Sequence, residues 1–489
     1  MGQSENGSIL GKSARGSIYS IAVTGVSIPL GFIRTVLLMR MLHPDLFGYM
    51  ALALFFSTFI STFSSLGLDG ALVQRKEPKS EAFSTHFILR ISLSIAMLGL
   101  VWLVSPVLRQ AYSHQIIVVD LLLVLLAVKV LDATYATPTV VLHREMRFRS
   151  IAVINLIASL GMTIIAPLLA YLGAGVWALV AEQAVGPLMK WLCLWLIIRP
   201  WRISLRFLWE EGKKTIKFGA QLLYSQTLST LLTRFADFWT GTTLGATAVG
   251  YYSRAFEIAQ YPGRVLAMPI APVFFSTYSR VQDEKDELTK AFFLSTSFLA
   301  RAGFLLAIVL MVSATEVTTL LFGEVWLPVV PIFRLMLVYM LLDPISINLN
   351  YFLIGVGKPG LLVRVRAVQV IFFIGAVVGL GSWLGVQGVA VAANLMMIIG
   401  IIIMLYLSQR FIQYPVSRIF AWPTVAGFVA GGAALALIPD SLEVNMWVSL
   451  FLKWGLVATI YSIILYIAER DIIHKYGWQM LNTYFRRVV

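Results

Sequence analysis

Between the apolar runs 116–138 (IIVVDLLLVLLAVKVLDATYATP) and 150–170 stands the short basic stretch His143-Arg144-Glu145-Met146-Arg147-Phe148-Arg149. Each run has the ~20 mostly apolar residues that a helix needs to cross ~30 Å of hydrocarbon. Lys and Arg beside such spans are held on the cytoplasmic side. The stretch 143–149 therefore marks a cytoplasmic connection, and alternation from it assigns a side to every other connection.

Working outward in both directions predicts fourteen spans. The first six are 17–39, 49–71, 85–107, 116–138, 150–170 and 176–198. The next six are 218–240, 248–272, 291–313, 328–352, 364–384 and 387–407, and the last two are 420–438 and 447–468. The remaining cytoplasmic connections are then Gln74-Arg75-Lys76, the Trp201–Lys217 linker, Arg280–Lys290, Lys358 with Arg364–Arg366, Arg410–Arg418, and a tail with Arg486-Arg487. Only Arg40 and Arg109 fall in loops facing the other side. Both termini are cytoplasmic on this reading. The first apolar segment, about Ser17 to Met39, has the length of a span and no small-residue cleavage site, which predicts a retained helix rather than a removed signal peptide.

Composition agrees. The chain is 59% hydrophobic and 13% charged, with a mean hydropathy of +0.83. Its longest polar stretch, about Arg199 to Lys217, is too short to fold alone. Alternating ten-residue strands are absent, so helices rather than a barrel satisfy the backbone in lipid. The net charge of +14 reads as the positive-inside excess, favoured by anionic headgroups, and not as a nucleic-acid footprint. Cys193 is the single cysteine, which excludes a disulfide framework. The histidines (His43, His86, His114, His143, His474) are scattered and form no metal cluster. Gly355-Val356-Gly357-Lys358-Pro359 lacks the upstream glycine, the Ser/Thr and the strand of a phosphate loop. No cofactor is expected. The linker (Trp201, Phe207, Trp209) and the tail (Trp478, Tyr484, Phe485) mix aromatics with basic residues, as anchors lying in the headgroup plane do.

The two halves repeat at a spacing of about 200 to 213 residues. Arg34 is answered by Arg234, Phe47-Gly48-Tyr49 by Val249-Gly250-Tyr251, and Thr85-His86-Phe87-Ile88-Leu89-Arg90 by Thr296-Ser297-Phe298-Leu299-Ala300-Arg301. Leu131-Asp132 is answered by Leu342-Asp343, and Leu172-Gly173 by Leu384-Gly385. The pattern predicts a duplicated six-helix unit. An even number of spans gives both copies one orientation, hence a pseudo-twofold axis along the membrane normal and a site between the lobes. The expected organisation is an N-terminal lobe over 1–200, an interfacial linker over 201–217, a C-terminal lobe over 218–409, and spans thirteen and fourteen with the tail over 410–489.

Ionisable groups inside spans normally face a protein interior or a wet cavity. This chain places Arg34, Arg90, Lys129, Lys190, Arg234, Arg254, Arg264, Arg301, Arg334 and Lys453 there, with Asp132, Glu182, Asp237, Glu257 and Asp343 as acidic counterparts. The basic excess suits an anion such as a phosphate, which Arg binds in bidentate fashion. Lys129/Asp132, Arg234/Asp237 and Arg254/Glu257 are spaced i, i+3 and share a helical face; each reads equally as a structural pair or as a gating pair. Arg34, Arg90, Arg301 and Arg334 have no such neighbour and are read as unpaired and cargo-binding. Lys190 and Lys453 are read as snorkelling groups. Pro29, Pro167, Pro262, Pro269 and Pro344 are expected to bend their helices.

Several segments resemble a known family. Phe63-Ser64-Ser65-Leu66-Gly67-Leu68 with Gln74-Arg75-Lys76-Glu77, Gly250-Tyr251-Tyr252-Ser253-Arg254-Ala255, and Phe322-Gly323-Glu324-Val325-Trp326 followed by Pro331 are similar to Wzx-type flippases. These form the polysaccharide transporter family of the multidrug/oligosaccharidyl-lipid/polysaccharide exporter superfamily, and the likeness is greatest to exporters of the colanic-acid and succinoglycan kind. The resemblance implies a MATE-like fold of fourteen helices in two lobes around a V-shaped cavity. It implies a bacterial inner-membrane flippase for undecaprenyl-diphosphate-linked oligosaccharide repeat units, with membrane lipids, a polymerase and a chain-length regulator of the same pathway as partners. Its basic cavity residues are thought to meet the diphosphate; Arg34 and Arg254 sit in recognisable family segments. The expected substrate-binding set is Arg34, Arg90, Arg234, Arg254, Arg301 and Arg334, and the coupling or gating set is Lys129, Asp132, Asp237, Glu257 and Asp343. A monomer without enzymatic activity is expected.

Other readings make different demands. An exporter of peptidoglycan lipid precursor or of small drugs shares the architecture. A polytopic polymerase or glycosyltransferase needs catalytic groups on an external loop, and the longest such loop, about Ala314 to Leu327, offers only Glu316 and Glu324.

Overall fold

The computed structural model describes residues 23, 25–75, 80–439 and 445–470. Lys76 and the tail with Arg486-Arg487 lie outside the described residues. The described chain is mostly helical. In order it forms α1 (25–41), α2 (Pro44–Ser65), α3 (Leu68–Gln74), α4 (Ser80–Ala111), α5 (Ile117–Arg144), α6 (Phe148–Tyr171) and α7 (Val176–Leu192). Next come α8 (Trp209–Thr243), α9 (Ala246–Ala259), α10 (Ala271–Arg280), α11 (Lys285–Val312), α12 (Ala314–Val317), α13 (Val329–Leu335) and α14 (Leu337–Gly355). The last four are α15 (Pro359–Leu384), α16 (Val386–Ser408), α17 (Val416–Leu437) and α18 (Met446–Ala468).

Among the described residues, 10 helices are long and apolar enough to cross a membrane. The protein is therefore a multi-pass helical membrane protein. Of the four remaining predicted spans, the first (17–39) falls partly outside the described residues, which begin at 23 and continue from 25 in α1; the other three fall on α5, α8 and the α9–α10 segment. Of these three, the first two are interrupted by charge (Asp120, Lys129 and Asp132 on α5; Arg234 and Asp237 on α8). The third is interrupted by its backbone: α9 ends at Ala259, a wider π turn runs Gly263–Ala267, and α10 begins at Ala271. The bend expected at Pro262 and Pro269 is thus a break.

Two further expectations need correction. The linker 201–217 is not a separate interfacial helix: residues 203–208 are irregular, and α8 begins at Trp209 and runs unbroken to Thr243. The segment 314–327 is not an open loop either. It coils through α12, a π turn at Thr318–Phe322 and a 3₁₀ turn at Glu324–Trp326, with Trp326 fully buried. In the second segment the buried Val317, Phe322 and Trp326 hold the coil against protein, whereas Ile203, Leu205, Phe207, Leu208 and Trp209 of the first remain exposed.

The chain divides into two compact units, one of residues 1–254 with 366–392 and the other of 255–365 with 393–489. These boundaries cut across the halves of the sequence repeat, since α8 and part of α15 group with the first unit. In that first unit, glycines set the closest helix crossings. A Cβ on Gly48 would stand 1.8 Å from the Ala246 carbonyl oxygen, and one on Gly250 would stand 2.0 Å from that of Pro44. Pro44 and Ala246, like Gly48 and Gly250, are 202 residues apart, so the α2–α9 crossing is reciprocal between repeat-matched positions. Likewise α8 crosses the α2–α3 turn, where Leu66 and Gly67 have φ of 44° and 62°, through Gly219, whose Cβ would lie 2.0 Å from the Leu66 carbonyl oxygen.

In the second unit, α17 and α18 pack on α11 through Phe304, Ile308, Val312, Ala426, Ala430, Ala434, Val457 and Tyr461. Small residues on α17 let the backbones approach where lipid supplies no hydrophobic drive between helices.

Candidate functional site

In the first unit, α1 and α7 are joined by Arg34, whose Nε donates to Glu182 Oε1 at 2.7 Å. On α4, Arg90 reaches Asp69 of α3, with Nε 3.1 Å from Oδ1 and Nη2 donating to Oδ2 at 3.3 Å. The same carboxylate meets the Nε2 of buried His86 at 3.0 Å, and His86 Nδ1 lies 2.9 Å from the Thr137 hydroxyl on α5. One turn earlier on α5, Lys129 Nζ donates to Asp132 Oδ2 at 3.2 Å while the Tyr135 hydroxyl donates to Oδ1 at 2.5 Å. On α8, Arg234 Nη1 donates to Asp237 Oδ2 at 3.3 Å; the carboxylate is buried and the guanidinium remains 36% exposed. Arg254 lies with its guanidinium 4.9 Å above the Phe47 ring, a cation–π arrangement at the α2–α9 crossing. The division between the units falls between Arg254 and Glu257.

In the second unit, Arg301 forms a bidentate pair with Glu469 just beyond α18, Nε to Oε2 at 2.6 Å and Nη2 to Oε1 at 2.5 Å. Its Nη1 donates to the Ser297 carbonyl at 2.8 Å. Arg334 of α13 donates from Nη2 to the Thr315 hydroxyl at 3.2 Å. Asp343 packs so closely on Gly263 that a Cβ there would fall 1.9 Å from Oδ2, so any larger residue in that π turn would have to move the Asp343 carboxylate. Lys453 of α18 is fully buried and pairs with Glu316 of α12 at 2.5 Å.

These contacts correct the sequence reading. Arg34, Arg90, Arg301 and Arg334 are not unpaired, because each has an acceptor on another helix, 19 to 168 residues away. A search at i, i+3 and i+4 finds partners on one helix face only. Lys453 does not snorkel, since Glu316 supplies a charge within the protein. The i, i+3 pairs Lys129/Asp132 and Arg234/Asp237 do form. The site residues come together as separate pairs within each unit rather than as one cluster.

Asp69, Thr137 and Glu469 were not singled out from sequence, His86 was set aside among the scattered histidines, and Glu316 was named only as a loop group for a catalytic reading. The signal for His86 was present in the repeat. Positions 85–90 match 296–301, and Thr137 matches Asn348 at the same offset of 211 residues. In the second unit Asn348 Nδ2 donates to the hydroxyls of Thr296 and Ser295 at 2.9 and 3.2 Å. Both units thus contain one polar contact between repeat-matched helices, and only the first builds it with histidine.

At the C-terminal end of α5, Arg144 donates from Nη1 to the carbonyls of Leu72, Val73 and Arg75, which end α3. Arg75 in turn pairs with Glu211 in the first turn of α8. That hydrogen bond, opposed by burial, holds the Glu211 carboxyl below the usual carboxylate range.

Comparison with solved structures identifies the fold of this multi-pass helical frame. A lipid II flippase MurJ in an inward closed conformation superimposes with a TM-score of 0.74 at 14% identity, covering 93% of this chain and 99% of that one. An inward-facing MATE-family multidrug resistance transporter of the MOP superfamily gives 0.61 at 16% identity, covering 81% and 98%. The fold is therefore MurJ- and MATE-like.

The chain belongs to the polysaccharide biosynthesis protein family, whose profile matches residues 37–331. It is 24% identical over 398 residues to the lipopolysaccharide biosynthesis protein WzxC of Escherichia coli (strain K12), covering 80% of both chains. It is 26% identical over 360 residues to the succinoglycan biosynthesis transport protein ExoT of Rhizobium meliloti (strain 1021), covering 71% of this chain and 70% of that one.

Proposed function

We propose that this protein flips undecaprenyl-diphosphate-linked exopolysaccharide repeat units from the inner to the outer leaflet of the bacterial cytoplasmic membrane, by alternating access. Family membership is the observation that carries this reading, and the names of WzxC and ExoT as polysaccharide biosynthesis and transport proteins point the same way. The embedded guanidiniums supply the chemistry. Arg34, Arg90, Arg234, Arg254, Arg301 and Arg334 meet the diphosphate while the polyprenyl tail stays in lipid. Asp132, Asp237 and Asp343 compete with the cargo for these groups, and together with Lys129 and Glu257 they form the set that couples or gates its release.

A carboxylate partner is compatible with such a role. It keeps an arginine tolerable inside the membrane in the empty state, and a doubly charged diphosphate displaces it with more hydrogen bonds. The reading includes fourteen spans in two six-helix lobes followed by two C-terminal spans, with both termini in the cytoplasm. It also includes a pathway polymerase and chain-length regulator as neighbours and no catalytic step in the protein itself.

The test separates cargo binding from helix pairing. Arg34→Ala and Arg234→Ala should each abolish polymer export in a strain lacking the chromosomal copy, with the protein still inserted and folded. Glu182→Gln, which removes the pair but keeps the arginine, should retain export. Normal export by both arginine variants refutes the site. Equal loss in Glu182→Gln assigns Arg34 to packing instead.

A further inference from the structure

The Asp69–His86–Thr137 chain holds the one histidine, among the described residues, that the proposed function leaves unused and that is buried with both ring nitrogens bonded. His86 is 1% exposed and links α3, α4 and α5. Packing alone does not require a histidine there, because the matched contact in the second unit is closed by Asn348, Ser295 and Thr296, which do not titrate.

The partners of His86 suit both of its charge states. An ionised carboxylate only accepts, so His86 Nε2–H donates to Asp69 Oδ1. On the other side a hydroxyl can donate or accept. With a neutral ring, Thr137 donates to Nδ1; with a charged ring, Nδ1–H donates to the Thr137 oxygen. One proton is gained and neither hydrogen bond is lost.

Charge balance then decides what the proton does. On the packed elements, α3 brings Asp69 and α4 brings Arg90. On α5, Lys129 and Asp132 cancel, and Tyr135 donates to Asp132 within electrostatic range of Arg90. The first turn of α8, beside Thr85, brings Glu211, already paired with Arg75 and approached by Lys214. α2 contributes no charged side chain besides Asp45 in its first turn. With His86 neutral, the Asp69–Arg90 and Lys129–Asp132 groups carry no net charge; protonation leaves one positive charge uncompensated. The cluster opens outward through Asp69 and Lys129, whose side chains are 46% and 39% exposed. An anion arriving there restores neutrality.

We propose that His86 is a proton-binding site of the first unit and that its charging recruits a lipid-borne diphosphate to the Asp69–Arg90–Lys129 cluster, so that proton and anion bind cooperatively. This rests on the reading of an anionic lipid cargo, and the experiment keeps the two apart. Histidine-labelled full-length protein in detergent is titrated by NMR, with His86 identified as the imidazole missing from His86→Gln. The resonance should pass from the neutral to the charged form as the pH is lowered across the titrated range. A ring fixed in one form throughout overturns the proposal whatever the cargo.

In the second arm, undecaprenyl diphosphate binding to wild type should weaken roughly tenfold across that range, a usual strength for coupled sites. Binding to His86→Gln should lose that weakening and follow only the ionisation of the diphosphate itself. Asp69→Asn adds the same charge without a proton and should bind at the high end as wild type does at the low end. A wild-type slope in His86→Gln overturns the coupling. Inorganic diphosphate reproducing the whole response assigns the site to a free anion, against the proposal. No binding of undecaprenyl diphosphate by any variant, with a normal imidazole titration, sinks the cargo reading while the proton site stands.

Discussion

Replacing Lys453 by Met should strongly destabilise the protein, although Met is the more natural residue for a membrane span. Lys453 is fully buried and its ammonium sits 2.5 Å from Glu316 Oε1. Glu316 has one further support: the Ser449 hydroxyl donates to that same oxygen at 2.7 Å. Its second oxygen, Oε2, is buried without a hydrogen bond. Removing the ammonium therefore strands a carboxylate that a single hydroxyl cannot satisfy. Breaking one side of a buried pair costs about 3–5 kcal/mol. Glu316→Gln strands the ammonium in turn, and should cost a similar amount.

The double variant Lys453→Met/Glu316→Gln should come within about 1–2 kcal/mol of wild type, because removing both charges of a buried pair leaves no uncompensated ion. The cycle then yields a coupling of several kcal/mol, well above the scatter of independent sites. Reversible unfolding in mixed detergent micelles measures all four proteins, and polymer export is followed in parallel. Single variants within about 0.5 kcal/mol of wild type, or additive losses in the double variant, would show that the pair is not what fixes α18 to α12. Export restored along with stability would assign Lys453 to the scaffold.

Gly48→Ala and Gly250→Ala should each force α2 and α9 apart, since the new Cβ meets a carbonyl oxygen at 1.8 or 2.0 Å. Overpacking of this kind costs about 1–3 kcal/mol, and the measure is the melting temperature of the purified variants against Gly432→Ala, whose Cβ enters open space. Arg301→Lys should lose the bidentate geometry with Glu469 and lower stability more than Lys290→Ala at an exposed pair, read by the same unfolding assay. The depressed Glu211 carboxyl contributes stability that is present above its unfolded pKa and lost as pH falls through its lower folded value. Wild type should therefore lose more stability on acidification below about pH 4.5 than Glu211→Gln does, and parallel curves would contradict the Arg75 assignment.

Helix positions were legible in the sequence because apolar run length is a one-dimensional signal, and residues 148–171, 285–312 and 446–468 fold as long helices there. The i, i+3 pairs on α5 and α8 were legible for the same reason: one helix carries both partners. The partners of Arg34, Arg301 and Lys453 were hidden because pairing across helices depends on packing, which hydropathy does not encode. The α9–α10 break was missed since a span-length window averages over a π turn, and the coiled 314–326 segment since a short stretch between two long apolar runs reads as loop. The repeat carried more than was read from it: the Gly48–Gly250 reciprocity and the His86–Ser297 difference both stand in the aligned segments, and become meaningful once the contacts are known.

Transfer of the lipid-linked cargo itself tests the account most directly. Purified protein in liposomes carrying undecaprenyl-diphosphate-linked repeat units should expose those units on the opposite leaflet, read as their accessibility to an externally added, membrane-impermeant sugar-modifying enzyme. The arginine variants Arg34→Ala and Arg234→Ala, folded and inserted equally, should leave half of the cargo protected, as empty liposomes do. Full exposure by those variants, or protection by wild type under every ion gradient imposed, would contradict the account.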